Sequence, residues 1–465
     1  MRKKVLGTLA ALAASAGGAL AQGPGPIPAP LTQQLPPGGF GEMPVPNVDP
    51  NAFAPNGLPP GGMPAYPNGG AYGEAPYDSP SMKGSGLFGM GGRGAANPSV
   101  WLDMQYLLMF PKAQPIGFPL LSTSAPADAG IVGRPSTSLL QGSGDLGLGE
   151  ASGFRISGGM FRASDQRVGA EFVGTYLAPT SNIAFVGSNS NSNGVPVIAR
   201  PFIDGRTGPS SLLVSFPTFA FGSTLSRATT KFWGAEANAL VNLYRTAEGD
   251  SRHWVLNAVG GFRYARLAET IDVTSRATLL GGNTATYNGL TIASPTSVEV
   301  RDLFESKNSF YGGQAGLQSQ FNSGRWYVGV GGKVGFGVIH QEVDIAGTTG
   351  ALNAATQTNS SSVGGLFANA SNIGNHSSDE FGLLTDLNAT LGFQITPWLV
   401  ATVGYNFIHL NDVARPGKQF DGRVDGATIP SSANFGGVSS GSPAFTLRQE
   451  DFYVHGLNFG FMLRY

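Results

Sequence analysis

From Pro98 to the end of the chain, apolar and polar residues alternate with a period of two over ten stretches: 99–110, 153–163, 167–178, 229–246, 253–274, 299–321, 325–346, 380–395, 398–411 and 450–465. Alternation of this kind marks β-strands with one apolar and one polar face. The connections have their own rhythm. Four are short, at 162–166, 246–252, 322–324 and 396–397, and five are long, at about 111–152, 179–228, 275–298, 347–379 and 412–449. Long and short alternate without exception. An antiparallel up-and-down barrel with tight turns at one end and long loops at the other produces that order. About ten strands are therefore expected; FPTFAFGST at 216–224 is one more candidate, so twelve are allowed.

Successive strand residues point to opposite faces. Along 381–395 one face reads Phe381, Leu383, Leu387, Leu391, Phe393 and Ile395; the other carries Gly382, Asp386, Asn388 and Gly392. Along 326–338 Trp326, Val328, Val330, Val334, Phe336 and Val338 oppose a Gly-rich face holding Lys333. Trp233, Val241 and Leu243 likewise oppose Gly234, Glu236 and Asn238. A soluble barrel would turn the apolar face inward. Here the small, polar face suits a crowded interior, and its charges balance. Parity puts Asp103, Glu171, Glu236 and Asp386 inside with Arg155, Arg263, Lys333 and Arg464. Charges facing hydrocarbon at the midplane would cost about 2–4 kcal/mol each, whereas in a lumen they can pair. The apolar face is therefore expected to meet lipid, with stability drawn from a lumen charge network.

Tryptophans are expected to mark the membrane edges. Trp254, Trp326 and Trp398 follow short turns and Trp101 opens the first strand, so these form an aromatic girdle at one edge, with Trp233 nearer the other. By strict parity Trp101 and Trp398 fall with the inward set.

The first 21 residues fit a signal peptide: Arg2, Lys3 and Lys4, an apolar stretch from Val5 to about Ala16, and the small-x-small run Ala19-Leu20-Ala21. Export through the general secretory route is expected. The following segment, 22–97, is a Pro/Gly-rich arm; residues 22–96 alone hold 16 Pro and 17 Gly. It cannot bury enough apolar area to offset its ordering entropy, so a disordered periplasmic spacer is expected, with a periplasmic or cell-wall partner as the alternative. The barrel takes 98–465.

Composition narrows the function. Only 12% of residues are charged, about half the usual share, and 28 basic residues face 29 acidic ones, which argues against nucleic-acid binding. With no Cys there are no disulfides or thiolate metal sites. No G-x-S-x-G, H-E-x-x-H or phosphate loop appears in context. His376 near Asp379 is a weak rim pair, and GSGDLGLGE (142–150) reads as a loop rather than a cation site. No catalytic residue, cofactor or metal site is assigned.

The chain closes on LNFGFMLRY (457–465), in which Leu457, Phe459, Phe461, Leu463 and Tyr465 share one face. The pattern Asn458-x-Gly460-x-x-Leu463-x-Tyr465 resembles the terminal assembly signal of bacterial outer-membrane barrels, read by the barrel-assembly machinery; that usage often ends in Phe. A second resemblance is more specific. Asn411, Ala414, Arg415, Pro416 and Gly417, then Asp451, Phe452, Gly456, Leu457, Asn458, Phe459 and Gly460, together with the opening WLDMQYLLMFPKAQPIGFPLLSTS (101–124), resemble the beta barrel porin seven family of planctomycete-type outer-membrane proteins. The resemblance implies an outer-membrane location and a transmembrane barrel, and no particular substrate. Ten strands lie near the size at which side chains fill the interior. The expected function is a structural or surface-display barrel with a narrow or plugged lumen and binding in the loops. A small-solute channel is the alternative, and a rim-site hydrolase a weaker third.

Overall fold

The computed structural model describes residues 100–464, apart from 143, 163–165 and 247–251. The signal peptide (1–21), the arm (22–97) and Tyr465 therefore lie outside the described residues.

Ten strands form a ring: β1 (Val100–Pro111), β2 (Ala151–Phe161), β3 (Val168–Gly187), β4 (Ala220–Arg245), β5 (Arg252–Leu279), β6 (Thr296–Ser323), β7 (Trp326–Asn353), β8 (Gly374–Thr396), β9 (Leu399–Ala414) and β10 (Gln449–Arg464); a short strand at Thr358–Val363 adds to the same sheet by pairing with the loop end of β7. Each pairs antiparallel with the next in sequence, and β10 pairs back onto β1, closing the ring. The expected ten-stranded barrel is thus present. The segment 216–224 adds no strand: Phe216 bridges Ala220 in a tight turn, and the rest begins β4.

Strands β4 to β7 are 26–28 residues long, far more than the roughly ten needed to span a bilayer. Their outward faces show why. Below Tyr311 the exterior of β6 reads Gly313, Ala315, Leu317 and Phe321; above it come Ser309, Lys307, Glu305, Arg301 and Glu299. The same change follows Val338 on β7, where His340, Glu342 and Asp344 succeed Phe336 and Val334. Aromatic side chains mark the level: Phe154 contacts Tyr176 at 5.4 Å, Trp233 contacts Tyr264 at 4.8 Å, and Tyr264 contacts Tyr311 at 5.0 Å. A second set lies at the turn end, with Tyr244 against Trp254 at 5.2 Å and Trp326 against Phe393 at 5.1 Å. Trp254 and Tyr264 are ten residues apart on β5 (264 − 254). At about 3.3 Å per residue and a tilt of about 40°, that spans roughly 25 Å, the height of a membrane band.

The barrel therefore has two tiers. In the turn-end tier the exterior is apolar. In the loop-end tier the exterior is charged and the interior holds a large apolar core, with buried ion pairs set into it: Ile271, Val273, Val300, Phe304, Val343 and Ile345 are buried there. The long loops fold back to cover them. Leu120, Phe202, Leu366, Phe367, Phe420, Val424 and Ile429 join the same core. Three loops also build a small sheet in which strand 198–204 pairs with 208–215, with 121–123 and, in parallel, with 423–424; strand 138–141 pairs with 121–123. The long loops therefore do not lie open on the surface. Their Ser- and Gly-rich stretches carry isolated large apolar residues, and these are what the loop-end interior buries.

The membrane level makes a direct prediction. Ala237 faces outward on β4 between Trp233 and Tyr244, and Thr270 faces outward on β5 above the aromatic level. Ala237→Arg should cost about 2–4 kcal/mol and Thr270→Arg close to nothing. Urea unfolding from lipid vesicles measures both; equal costs would remove the assigned band.

The barrel interior as candidate functional site

Within the barrel the side chains form layers. Nearest the turns is a cavity of about 130 Å³, lined among others by Trp101, Asp103, Gln105, Glu171, Tyr327 and Arg464. Its walls offer unpartnered polar atoms of both kinds: Asp103 Oδ1, Gln105 Oε1, Asn406 Nδ2 and Arg464 Nη2. A space with such donors and acceptors suits water or a small polar solute. Trp101 belongs here and not to the girdle. It shares parity with Asp103, faces inward, and packs on Phe161 at 5.5 Å. Gly159 opposite makes room, since a Cβ there would come within 2.3 Å of the indole. The other four girdle tryptophans, 233, 254, 326 and 398, are all exposed, Trp398 in the turn between β8 and β9 despite its inward parity.

One layer up lies a charge cluster. Arg263 Nη1 donates to Asp386 Oδ2 at 2.9 Å and lies 3.4 Å from Glu236 Oε1. Arg155 Nη2 reaches the same Asp386 oxygen at 3.5 Å, and Lys333 Nζ donates to Glu236 Oε2. Gln314 Nε2 adds a bond to Glu236 at 2.9 Å. The strands bring these groups together because Glu236 and Arg263 are direct cross-strand partners, as are Lys333 and Asp386. Five of the eight sequence-assigned charges thus form one ion-paired cluster. The other three stand apart. Glu171 accepts from Asn238 at 3.0 Å and Gln318 at 3.2 Å, Asp103 accepts from Gln105 at 2.7 Å, and Arg464 donates to Asn322 at 3.3 Å and covers the Tyr327 ring.

Above the charges the interior turns apolar, which parity read from one uniform polar face did not anticipate. Leu107, Met109, Ala151, Leu177, Phe232, Ala265, Leu267, Phe310, Ile339, Leu384, Ile408, Leu410, Val413, Phe452 and Val454 form one buried cluster. All ten strands contribute to it. Phe232 and Phe452 stack across it at 6.5 Å.

The next layer was absent from the sequence expectations. Arg415 Nε and Nη2 grip Glu269 at 3.0 and 2.9 Å, both side chains being fully buried. The same guanidinium donates to Ala113 O at 2.8 Å and to Gln114 Oε1 at 2.7 Å, and lies over Phe452. Arg415 thereby ties the last loop and the first loop to β5. Its neighbours in the N-x-x-A-R-P-G stretch serve the same fastening. Asn411 accepts from Leu383 N at 2.6 Å, Ala414 N donates to Asn308 at 2.8 Å, and Gly417 lies so close to Pro115 that a Cβ would sit 1.7 Å from its carbonyl oxygen. Higher still, Arg200 donates to Asp302 at 2.6 Å, and the other Asp302 oxygen accepts three backbone N–H groups, from Leu366, Phe367 and Ala368, at 2.8–2.9 Å. A carboxylate holding three amides is a fixed anchor for that loop.

The terminal motif lies on β10. Asn458 is buried and inward, Gly460 packs against the Met104 carbonyl of β1, and Leu463 faces outward. The rim pair is not the expected one: His376 stacks on Phe445, and Asp379 meets His340 Nδ1 at 2.6 Å on the outer face. In 142–150, Leu146 and Leu148 anchor the loop in the core while Asp145 is exposed. Among the described residues no group of three or more His, Asp or Glu is placed to hold a metal ion.

The model of the beta barrel porin-7 (BBP7) family matches residues 101–465. No curated protein matches. Among solved structures, the outer membrane protease OmpT from Escherichia coli is similar at 8% identity and a TM-score of 0.35, over 79% of this chain and 96% of that one. A Pseudomonas aeruginosa FadL homologue is similar at 9% identity and a TM-score of 0.16, over 80% and 93%. OmpT of Vibrio cholerae gives 8% identity and 0.11, over 79% and 99%.

Proposed function

Since this chain belongs to the beta barrel porin-7 family, and is an outer-membrane β-barrel protein, we propose that it serves as a non-enzymatic structural or surface-display barrel whose lumen is closed. The observation that carries this reading is the apolar layer to which all ten strands contribute, with Phe232 stacked on Phe452. An open pore would need a continuous wet path, and fully buried hydrocarbon side chains offer ions and sugars no partners. The paired charges below it favour stability over selectivity, since a channel filter presents charge of one sign. The loops, fastened by Arg415 and Asp302, form a platform on which binding residues can be held.

Its partners in this reading are outer-membrane lipid, the barrel-assembly machinery acting on the segment ending at Tyr465, and a periplasmic or cell-wall partner for the arm. Export follows the general secretory route. A narrow small-solute channel is the second reading, and the polar cavity at the turn end favours it. Osmotic swelling of proteoliposomes separates the two. No swelling in glycine or glucose is expected; swelling comparable to that given by an open porin would support the channel.

A further inference from the structure

Immediately above the membrane band two outward basic side chains have no ion-pair partner among the described residues. Lys231 stands two residues above Trp233 on β4, and Arg266 is the direct cross-strand partner of Trp233 on β5. Lys231 faces Ala268, and Ala268 in turn faces Lys307 on β6. Arg266 faces Ser309. Three bases therefore surround two small side chains, Ala268 and Ser309. Lys307 is the one with an acid nearby, Asp344 at 3.6 Å. Diagonal cross-strand neighbours such as Lys231 and Arg266 lie about 7–8 Å apart, so their long side chains can converge on one group between them.

The height of this patch decides what that group is. Tyr264 and Tyr311 form an aromatic row beneath it, with Trp233 beside Arg266 and packed on Tyr264, where rings meet the headgroup region. Bases just beyond that row lie at the depth of lipid phosphates. The feature is local. At the same level on β7 and β8 the exterior carries the carboxylates of Glu342 and Asp379, which would repel an anion and which hold His340 between them.

We propose that Lys231 and Arg266, with Lys307 beside them, hold the phosphorylated headgroup of an anionic lipid in the loop-side leaflet. The proposal goes beyond the functional reading above. It needs the barrel to sit in the bilayer at the assigned height and is indifferent to whether the lumen conducts.

The test uses the refolded full chain, equilibrated in mixed micelles with equal amounts of phosphatidylglycerol and phosphatidylcholine. Native mass spectrometry counts the lipid retained. Wild-type protein should favour phosphatidylglycerol roughly tenfold or more. The double variant Lys231→Gln, Arg266→Gln should retain the two lipids equally, while Lys231→Arg, Arg266→Lys keeps the preference. Arg227→Gln, six residues beyond Trp233 on β4, should change nothing. Heat-modifiable migration shows that each variant is folded. The proposal is overturned by a wild-type protein without preference, by a neutralised variant that keeps it, or by displacement of the lipid with equimolar inorganic phosphate, which would make this a site for free anions.

Discussion

Replacing Arg415 with alanine should destabilise the barrel by about 3–5 kcal/mol, because it leaves the Glu269 carboxylate buried without a cation. The side chain also satisfies Ala113 O and Gln114 Oε1, so those acceptors lose a donor at the same time. Two loops should come loose together, and protease should cut near 112–116 and 415–419 in the variant but not in the wild type. The exposed pair Arg276–Glu299 is the control: Arg276→Ala should cost about 0–1 kcal/mol. Replacing Arg415 and Glu269 together, with methionine and leucine, should recover much of the loss, since apolar residues of similar volume remove both buried charges. Equilibrium unfolding in urea from vesicles measures all four proteins. A loss for Arg415→Ala no larger than for Arg276→Ala would show that the loops are held by other means.

Within the charge cluster the order of two losses follows from counting. The cluster holds three bases, Arg155, Arg263 and Lys333, and two acids, Glu236 and Asp386. Asp386→Asn leaves three cations against Glu236 alone, in a site where Asp386 is fully buried. It should cost about 3–5 kcal/mol. Arg263→Ala leaves two bases against two acids, with Lys333 still on Glu236 and Arg155 still 3.5 Å from Asp386. It should cost less, though still more than losing an exposed arginine such as Arg276. The reverse order would mean that the cluster's stability does not depend on its charge balance.

The ring of strands could be read from the chain because lipid and lumen enforce opposite polarities on neighbouring residues across the whole membrane band. The pattern Trp326, Val328, Val330 against Gly329, Gly331, Lys333 is one example. The cross-strand pairs Glu236–Arg263 and Lys333–Asp386 follow from that parity once register is known. What parity could not deliver is the change of phase above the band. On β6 the apolar residues are outward up to Tyr311 and inward from Phe310 to Val300. A reader who assigns one apolar face to each strand loses the signal where the phase inverts, and for that reason β4 seemed to begin at 229 when it begins at Ala220. Nor does any local pattern join Arg415 to Glu269 or Arg200 to Asp302, which are 146 and 102 residues apart. Arg415 stood in a motif by resemblance; its role appears only when β5 is set beside it. Trp101 was misplaced for a simpler reason, a position at a strand end outweighing its inward parity.

The closed lumen is the central claim, and single-channel recording tests it most directly. Refolded mature protein, shown by heat-modifiable migration to be folded and by flotation to be inserted in vesicles, would be fused into a planar bilayer. The apolar layer around Phe232 and Phe452 predicts a silent membrane at moderate voltage. Stable, discrete conductance steps from such protein would contradict it and make the barrel a channel.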